Sequence, residues 1–162
     1  DDAIVDGTQT VTITASALGF TSGTATIQVT DDEVASTAFI IDNGDVGFSL
    51  QGTWQLNTRG GYEGDTHAAG RNGVNIANWT FGALPDGDYE VFVTWTRGSN
   101  RSTNVPFSVL DENGIQLTSA TVNQFVDPAG ELVGGRRFQS IGVVTVVGGQ
   151  ITVLSASCGW ER

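Results

Sequence analysis

The sequence predicts an all-β fold, an antiparallel β-sandwich, on three observations. Apolar and polar residues alternate at period two almost from end to end, in runs rich in Val, Ile, Thr and aromatics. Of 162 residues, 22 are Gly and only 3 are Pro, which with abundant Ser and Thr favours many short strands joined by tight turns. No apolar pattern of the i, i+3, i+4, i+7 kind runs beyond about two helical turns. The length suits one domain, or one domain with a fragment of a second.

Residues 8–30 read as a hairpin. Val11, Ile13 and Ala15 alternate with Thr10, Thr12 and Thr14; Ala25, Ile27 and Val29 alternate with Thr24, Thr26 and Gln28; the turn is Leu18–Gly23. Two strands bury too little surface to stand alone in water, so this element needs a neighbour. Residues 34–37 read as a linker to a main domain over 38–162.

That domain opens with Phe39 and Ile41 as a short strand stopped by Asp42-Asn43-Gly44. Phe48 to Leu56 reads as one strand, and the Gly-rich run from Asn57 to His67 as the most loop-like stretch. The centre of the pattern is Trp79 to Trp95. Ala77, Trp79 and Phe81 share one face, Tyr89, Val91, Val93 and Trp95 share another, and Leu84-Pro85-Asp86-Gly87-Asp88 reads as the turn of a hairpin with a central, buried second strand. Residues 96–104 form a polar loop. Val105–Leu110 follows as a strand whose Pro106 marks an edge or bulge, and Asp111-Glu112-Asn113-Gly114 is a turn of the primed type. Ile115, Leu117 and Ser119 lead to Val122-Asn123-Gln124 and a loop over 125–136. Phe138, Ile141, Val143 and Thr145 then make a strand, Gly148-Gly149 a turn, and Ile151, Val153 and Ser155 the final strand.

Charge narrows the partners. Acidic residues outnumber basic ones 18 to 7, for a formal net charge of −11. Such a surface repels nucleic acid and anionic membrane. All the basic residues are Arg, which removes Lys-based Schiff-base and isopeptide chemistry. Cys158 is the single cysteine, so neither an intrachain disulfide nor a two-Cys metal site is available. No run has the length of a membrane-spanning helix, and the opening residues are not a signal peptide. The balance suits an exported protein living in salt or calcium, an excised piece of which would lack its leader.

Two resemblances follow from particular residues. Asp6-Gly7-Thr8-Gln9-Thr10-Val11-Thr12-Ile13, then Gly19-Phe20 and Ile27-Gln28-Val29-Thr30-Asp31-Asp32-Glu33, resemble the closing hairpin of a Calx-beta domain, a calcium-associated sandwich of about a hundred residues found in tandem in surface and secreted proteins. Asp31, Asp32 and Glu33 are the candidate calcium ligands, although Ca²⁺ takes six to eight oxygens and acidic strand ends are commonly solvated caps. Over 38–157, Asp42-Asn43-Gly44-Asp45 with Phe48, Gly52 and Trp54, then Trp79-Thr80-Phe81 through Leu84, Gly87, Tyr89, Val91 and Trp95, then Asn100-Arg101 through Thr103-Asn104-Val105-Pro106-Phe107, and Val122-Asn123-Gln124 resemble the golvesin and xanthan-lyase C-terminal domain. That resemblance implies a non-catalytic, jelly-roll-like sandwich of carbohydrate-binding-module type, appended to large bacterial exported proteins. In the family one more hydrophobic strand follows the stretch matching Ile151–Ser157. Its absence here suggests either a trimmed piece or an edge filled by strand exchange with a neighbouring molecule.

Reaction chemistry has little to work with. His67 is the single His, Asp65 lies two residues away, and no nucleophile elbow or zinc set accompanies them. Asp42, Asp45, Glu63, Asp65 and Glu90 offer carboxylates of the kind glycosidases use, as any acidic domain would. The expectation is no enzyme. Glycan recognition needs flat aromatic faces and bidentate polar groups, for which the loops offer Trp54, Tyr62, His67, Arg97, Asn100, Arg101 and Trp160. Trp79 and Trp95 read as core, Trp54 as core or ligand contact, and Arg101 as ligand contact or clamp on neighbouring carbonyls. Two functions therefore stand: an extracellular module binding polysaccharide or cell-surface glycan, and a structural or adhesive bead in a calcium-stiffened stalk or fibre.

Overall fold

The computed structural model describes residues 7–30, 37–69 and 74–158, and the chain divides into two compact units, Asp1–Ala38 and Phe39–Arg162. In the first, β1 (Gln9–Ala15) and β2 (Gly23–Val29) pair antiparallel. Their register sets Val11 opposite Ile27 and Thr12 opposite Thr26, giving the apolar and Thr-rich faces expected from period two. Both faces are exposed. Asp31, Asp32 and Glu33, the candidate calcium ligands, lie outside the described residues.

The second unit is an antiparallel β-sandwich. Its strands are β3 (Phe48–Gln51), β4 (Trp54–Asn57), β5 (Thr66–Ala69), β6 (Val74–Phe81), β7 (Gly87–Val93), β8 (Val105–Asp111), β9 (Gln116–Val122), β10 (Leu132–Val133), β11 (Arg136–Arg137), β12 (Gln139–Val146) and β13 (Ile151–Cys158). One layer is a five-stranded sheet in the order β3-β6-β13-β8-β9; the other contains the pair β12-β7. Val91 and Val93 from β7, Phe107 and Val109 from β8, Val122 from β9, Ile141, Val144 and Val146 from β12, and Ile151 and Val153 from β13 meet between the layers as one core, with Leu84. Burying a side chain of this size contributes about 1.5–3 kcal/mol.

Several elements differ from the sequence reading. Strands β6 and β7 are not a hairpin: β6 pairs with β3 and β13, while β7 pairs with β12. The Leu84–Asp88 segment therefore carries the chain from one layer to the other. Strand β7 is buried on its inner face, as the alternation of Val91 and Val93 requires, yet β12 is its one partner among the described residues. Phe39–Ile41 is not a strand. The run from Phe48 to Leu56 breaks at Gly52 and Thr53 into β3 and β4, because Thr53 N–H donates to Asn75 Oδ1 (2.7 Å) instead of extending a ladder. Strand β4 then folds onto β5, which takes Thr66 and His67 out of the expected loop.

In β12 a bulge between Ser140 and Gly142 inserts Ile141 as an extra residue. It shifts the inward phase from odd to even numbers, so Val144 and Val146 are buried while Val143 is 64% exposed. In β9 the inward set is Thr118, Ala120 and Val122, with Ile115 and Leu117 exposed. The turn before it is not of the primed type. Gly114 N–H donates to Asp111 O (3.1 Å), and Gly114 takes the left-handed position at φ 79°, the three-residue hairpin geometry with one glycine. Asp111 Oδ1 accepts from the N–H groups of Asn113 and Ile115 at 2.9 and 2.8 Å. Strand β8 is interior, between β13 and β9, but its pairing with β13 stops at Phe107, so Pro106 has no ladder donor to lose on that side. The loop over 125–136 carries β10, whose short ladder with β11 extends one residue past it to Arg137.

The bulge gives a direct test. Val144→Ala is expected to lower unfolding free energy by about 2 kcal/mol and Val143→Ala by less than about 0.5 kcal/mol, measured by chemical denaturation; the reverse order would mean that the strand keeps a single phase.

Candidate functional site

A cleft of about 750 Å³ opens between the layers. The chain changes layer twice at one end of the sandwich, before Gly87 and after Val146, which are register partners. The cleft extends toward the other end, where Trp95 and Thr96 beyond β7, Val105–Phe107 of β8, and Ser155 and Ala156 of β13 line it. Its floor is apolar, with Ala77, Trp79, Phe107 and Val153. Its polar groups come from loops and from β5: Asp42, Asn43, Asp65, His67, Asn100, Arg101, Asn104 and Gln124.

Five of the seven residues nominated for a glycan converge here: Trp54, Tyr62, His67, Asn100 and Arg101. Trp54 Nε1–H donates to Gln51 O at 2.9 Å, fixing the indole beside the break between β3 and β4. Tyr62 stands edge-on to Phe138, ring centres 5.6 Å apart. It is held by a glycine turn: Gly61 has φ 71°, a Cβ there would overlap the Asp65 carbonyl oxygen, and Gly61 N–H donates to Thr96 Oγ1 at 2.8 Å. His67 packs on Phe48 with centres 5.6 Å apart, and its Nδ1 is buried without a hydrogen-bond partner among the described residues. Asp65 instead accepts from Asn43 Nδ2. The His–carboxylate pairing that a triad needs is therefore not formed here.

Arg97 is not among the lining residues; its Nε sits 3.3 Å from Asp127 Oδ2, both exposed. Trp160 lies outside the described residues. Arg101 is half-buried, and its guanidinium clamps no carbonyl among the described residues. Trp79 and Trp95, read as core, have a double role: both pack against the core and both line the cleft. Trp95 Nε1–H donates to Val126 O at 2.8 Å, so the indole is fixed at the wall. Asn43, Asn104 and Gln124 were missed as site residues. The resemblance blocks containing them were a signal, but one that also fits plain structural positions.

One corner of the cleft is acidic. Asp42 N–H donates to Asp45 Oδ2 (2.7 Å), and Asp45 N–H to Asp42 O (3.1 Å). Burial pushes the Asp42 carboxyl above its ordinary 3.8; the Asn43 N–H it accepts opposes this, and the charges of Asp65, Glu63 and Asp45 add to it. Among the described residues no group of three or more His, Cys, Asp and Glu is placed to hold a metal ion. The corner offers oxygen acceptors, and no salt bridge among the described residues reaches it.

Two outcomes are expected. Gly61→Ala forces an L side chain into positive φ against a backbone oxygen and is expected to cost at least about 1–3 kcal/mol, read by denaturant midpoint. For Asp42, the folded carboxyl binds its proton at higher pH than the unfolded chain, so stability falls as pH rises through the window above 3.8. Asp42→Asn is therefore expected to raise Tm at pH 7 and to leave it unchanged at pH 3, measured by calorimetry across pH.

No curated protein sequence is similar enough to count as a relative. Among solved structures, Paenibacillus xanthan lyase at 2.6 Å superposes with a TM-score of 0.51 and 23% identity, covering 75% of this chain and 13% of that one. The match shows a shared fold, over a small part of the lyase. The profile of the golvesin C-terminal domain matches residues 39–149, most of the sandwich just described, and the chain belongs to that family.

Proposed function

We propose that the sandwich is a non-catalytic module of a larger exported, extracellular protein and that its cleft seats a polysaccharide. The observation that carries this reading is the convergence of Trp54, Tyr62, His67, Asn100 and Arg101 on one cleft. Aromatic faces for sugar C–H surfaces and directional polar groups for hydroxyls are what such a ligand needs. The absence of a bond between His67 and Asp65, with Asp65 committed to Asn43, supports a role in binding over one in reaction. The lyase that shares the fold devotes 13% of its chain to the matching part, a share in keeping with an accessory module. No helix among the described residues is long and apolar enough to cross a membrane.

A second reading is favoured by one feature. Phe92 to Thr96 line the cleft consecutively, the last two residues of β7 and the three beyond it, and among the described residues β7 pairs with β12 alone. An open edge beside an apolar floor accepts an added strand, which would make the module a structural or adhesive bead. Calcium at Asp31, Asp32 and Glu33, and a Calx-beta-like origin for β1 and β2, belong to that reading.

Titration calorimetry against a panel of neutral and acidic polysaccharides separates the two. Saturable binding weakened at least about tenfold by Trp54→Ala or Tyr62→Ala is expected. Absence of binding to every polymer, with dimers accumulating as concentration rises in size-exclusion chromatography, would replace polysaccharide with strand addition.

A further inference from the structure

The two arginines of the 96–104 loop are treated differently. Arg97 is neutralised by Asp127 at 3.3 Å, out in solvent. Arg101 lines the cleft, half-buried, with no hydrogen-bond or ion-pair partner among the described residues. Among the described residues it is the single Lys or Arg in the cleft lining. Its guanidinium nitrogens are not among the buried unpartnered atoms, so an incoming acceptor can reach a cation that no described acid already holds. Acids are available in the same cleft, yet none reaches it: Asp65 is bonded to Asn43, and Arg101 is not among the charges acting on Asp42. Cation and acidic corner therefore occupy separate parts of the lining.

The loop is also braced. Arg101 N–H donates to Gly98 O (3.1 Å), Gly98 N–H to Gln124 O (3.1 Å), and Gln124 N–H to Ser102 O (2.9 Å). Gly98 leaves room for the arginine stem, since a Cβ there would come within 3.3 Å of Arg101 Cγ. The backbone on both sides of Arg101 is thus tied to Gln124, another lining residue. A side chain set on a fixed backbone loses less freedom on binding than one on a loose loop.

We infer that the cleft selects acidic polysaccharide, the carboxylate of a uronate residue pairing with Arg101. This rests on the polysaccharide reading above. Arginine recognises a carboxylate bidentately, and the corner of Asp42, Asn43 and Asp65 takes uncharged hydroxyls and repels a second carboxylate. Spacing along the ligand is then part of the recognition: the charged group goes to Arg101 and neutral groups to the acidic corner. General attraction is not an alternative source of such a preference, because a net charge of −11 repels polyanions. Any acidic preference has to come from a placed cation.

The experiment compares polygalacturonate with its fully methyl-esterified form by titration calorimetry at one ionic strength. Wild type is expected to bind the acid form at least about tenfold more tightly. Arg101→Gln is expected to bring the two forms together, Arg101→Lys to retain part of the difference, and Arg97→Gln to keep all of it. Free galacturonate, but not galactose, is expected to compete on the wild-type protein, which keeps the test valid if Arg101→Gln does not fold. Equal wild-type affinity for both forms, or a preference that survives Arg101→Gln, overturns the inference and leaves the polysaccharide reading standing. Failure to bind either form or any neutral glucan overturns both.

Discussion

The sandwich depends on a tie between its two changes of layer. The segments joining β6 to β7 and β12 to β13 meet at one end, where Leu84 N–H donates to Gly149 O at 2.9 Å and Gly148 N–H to Asp86 Oδ1 at 3.2 Å. The Leu84 side chain is 5% exposed and closes that end of the core. Backbone polar groups beside a closed core cost free energy unless paired, so each crossover satisfies the other. The tie also sets alignment on both sides: Gly87 opposite Val146 in one layer and Phe81 opposite Ile151 in the other.

With one end closed in this way, the layers part toward the other. Positions that would be interior in a sealed sandwich, Trp79 and Phe107 among them, become the floor of the cleft. The loops at the open end are not loose additions. The turn bearing Tyr62 is hydrogen-bonded to Thr96 just past β7, and the loop bearing Arg101 is hydrogen-bonded to Gln124 just past β9. Each polar arm of the site is anchored at the end of a core strand, which is how a rigid scaffold presents binding residues.

Much of this was legible in the sequence. Period-two alternation found the strands, the burial of Val91, Val93, Val153 and Ile151, and the all-β class, because each strand has one face on the core. The same signal could not say which strand pairs with which. Leu84-Pro85-Asp86-Gly87 has the chemistry of a tight turn whether it returns the chain within a sheet or carries it across, and local propensity does not distinguish these. Nor does a bulge announce itself: Ile141, Val143 and Thr145 alternate as well as Ile141, Val144 and Val146 once one residue is allowed to slip. Trp54, Tyr62, His67, Asn100 and Arg101 stand out by their aromatic or bidentate character in polar stretches, and they line one cleft. Arg97 meets the same criteria yet lies outside the lining, paired with Asp127 thirty positions on. Charge pairing across that distance is a property of the fold.

The place of β13 in the larger sheet has a bearing on how the molecule is made. It runs between β6 and β8, so the β3-β6 and β8-β9 ladders are joined into one sheet only when the thirteenth strand arrives. Pairings so remote in sequence form slowly. During synthesis, the waiting rims of β6 and β8, with the Trp79 surface beside them, would be open to wrong neighbours. A chain with this topology completes its larger sheet only when residues 151–158 close the gap between β6 and β8.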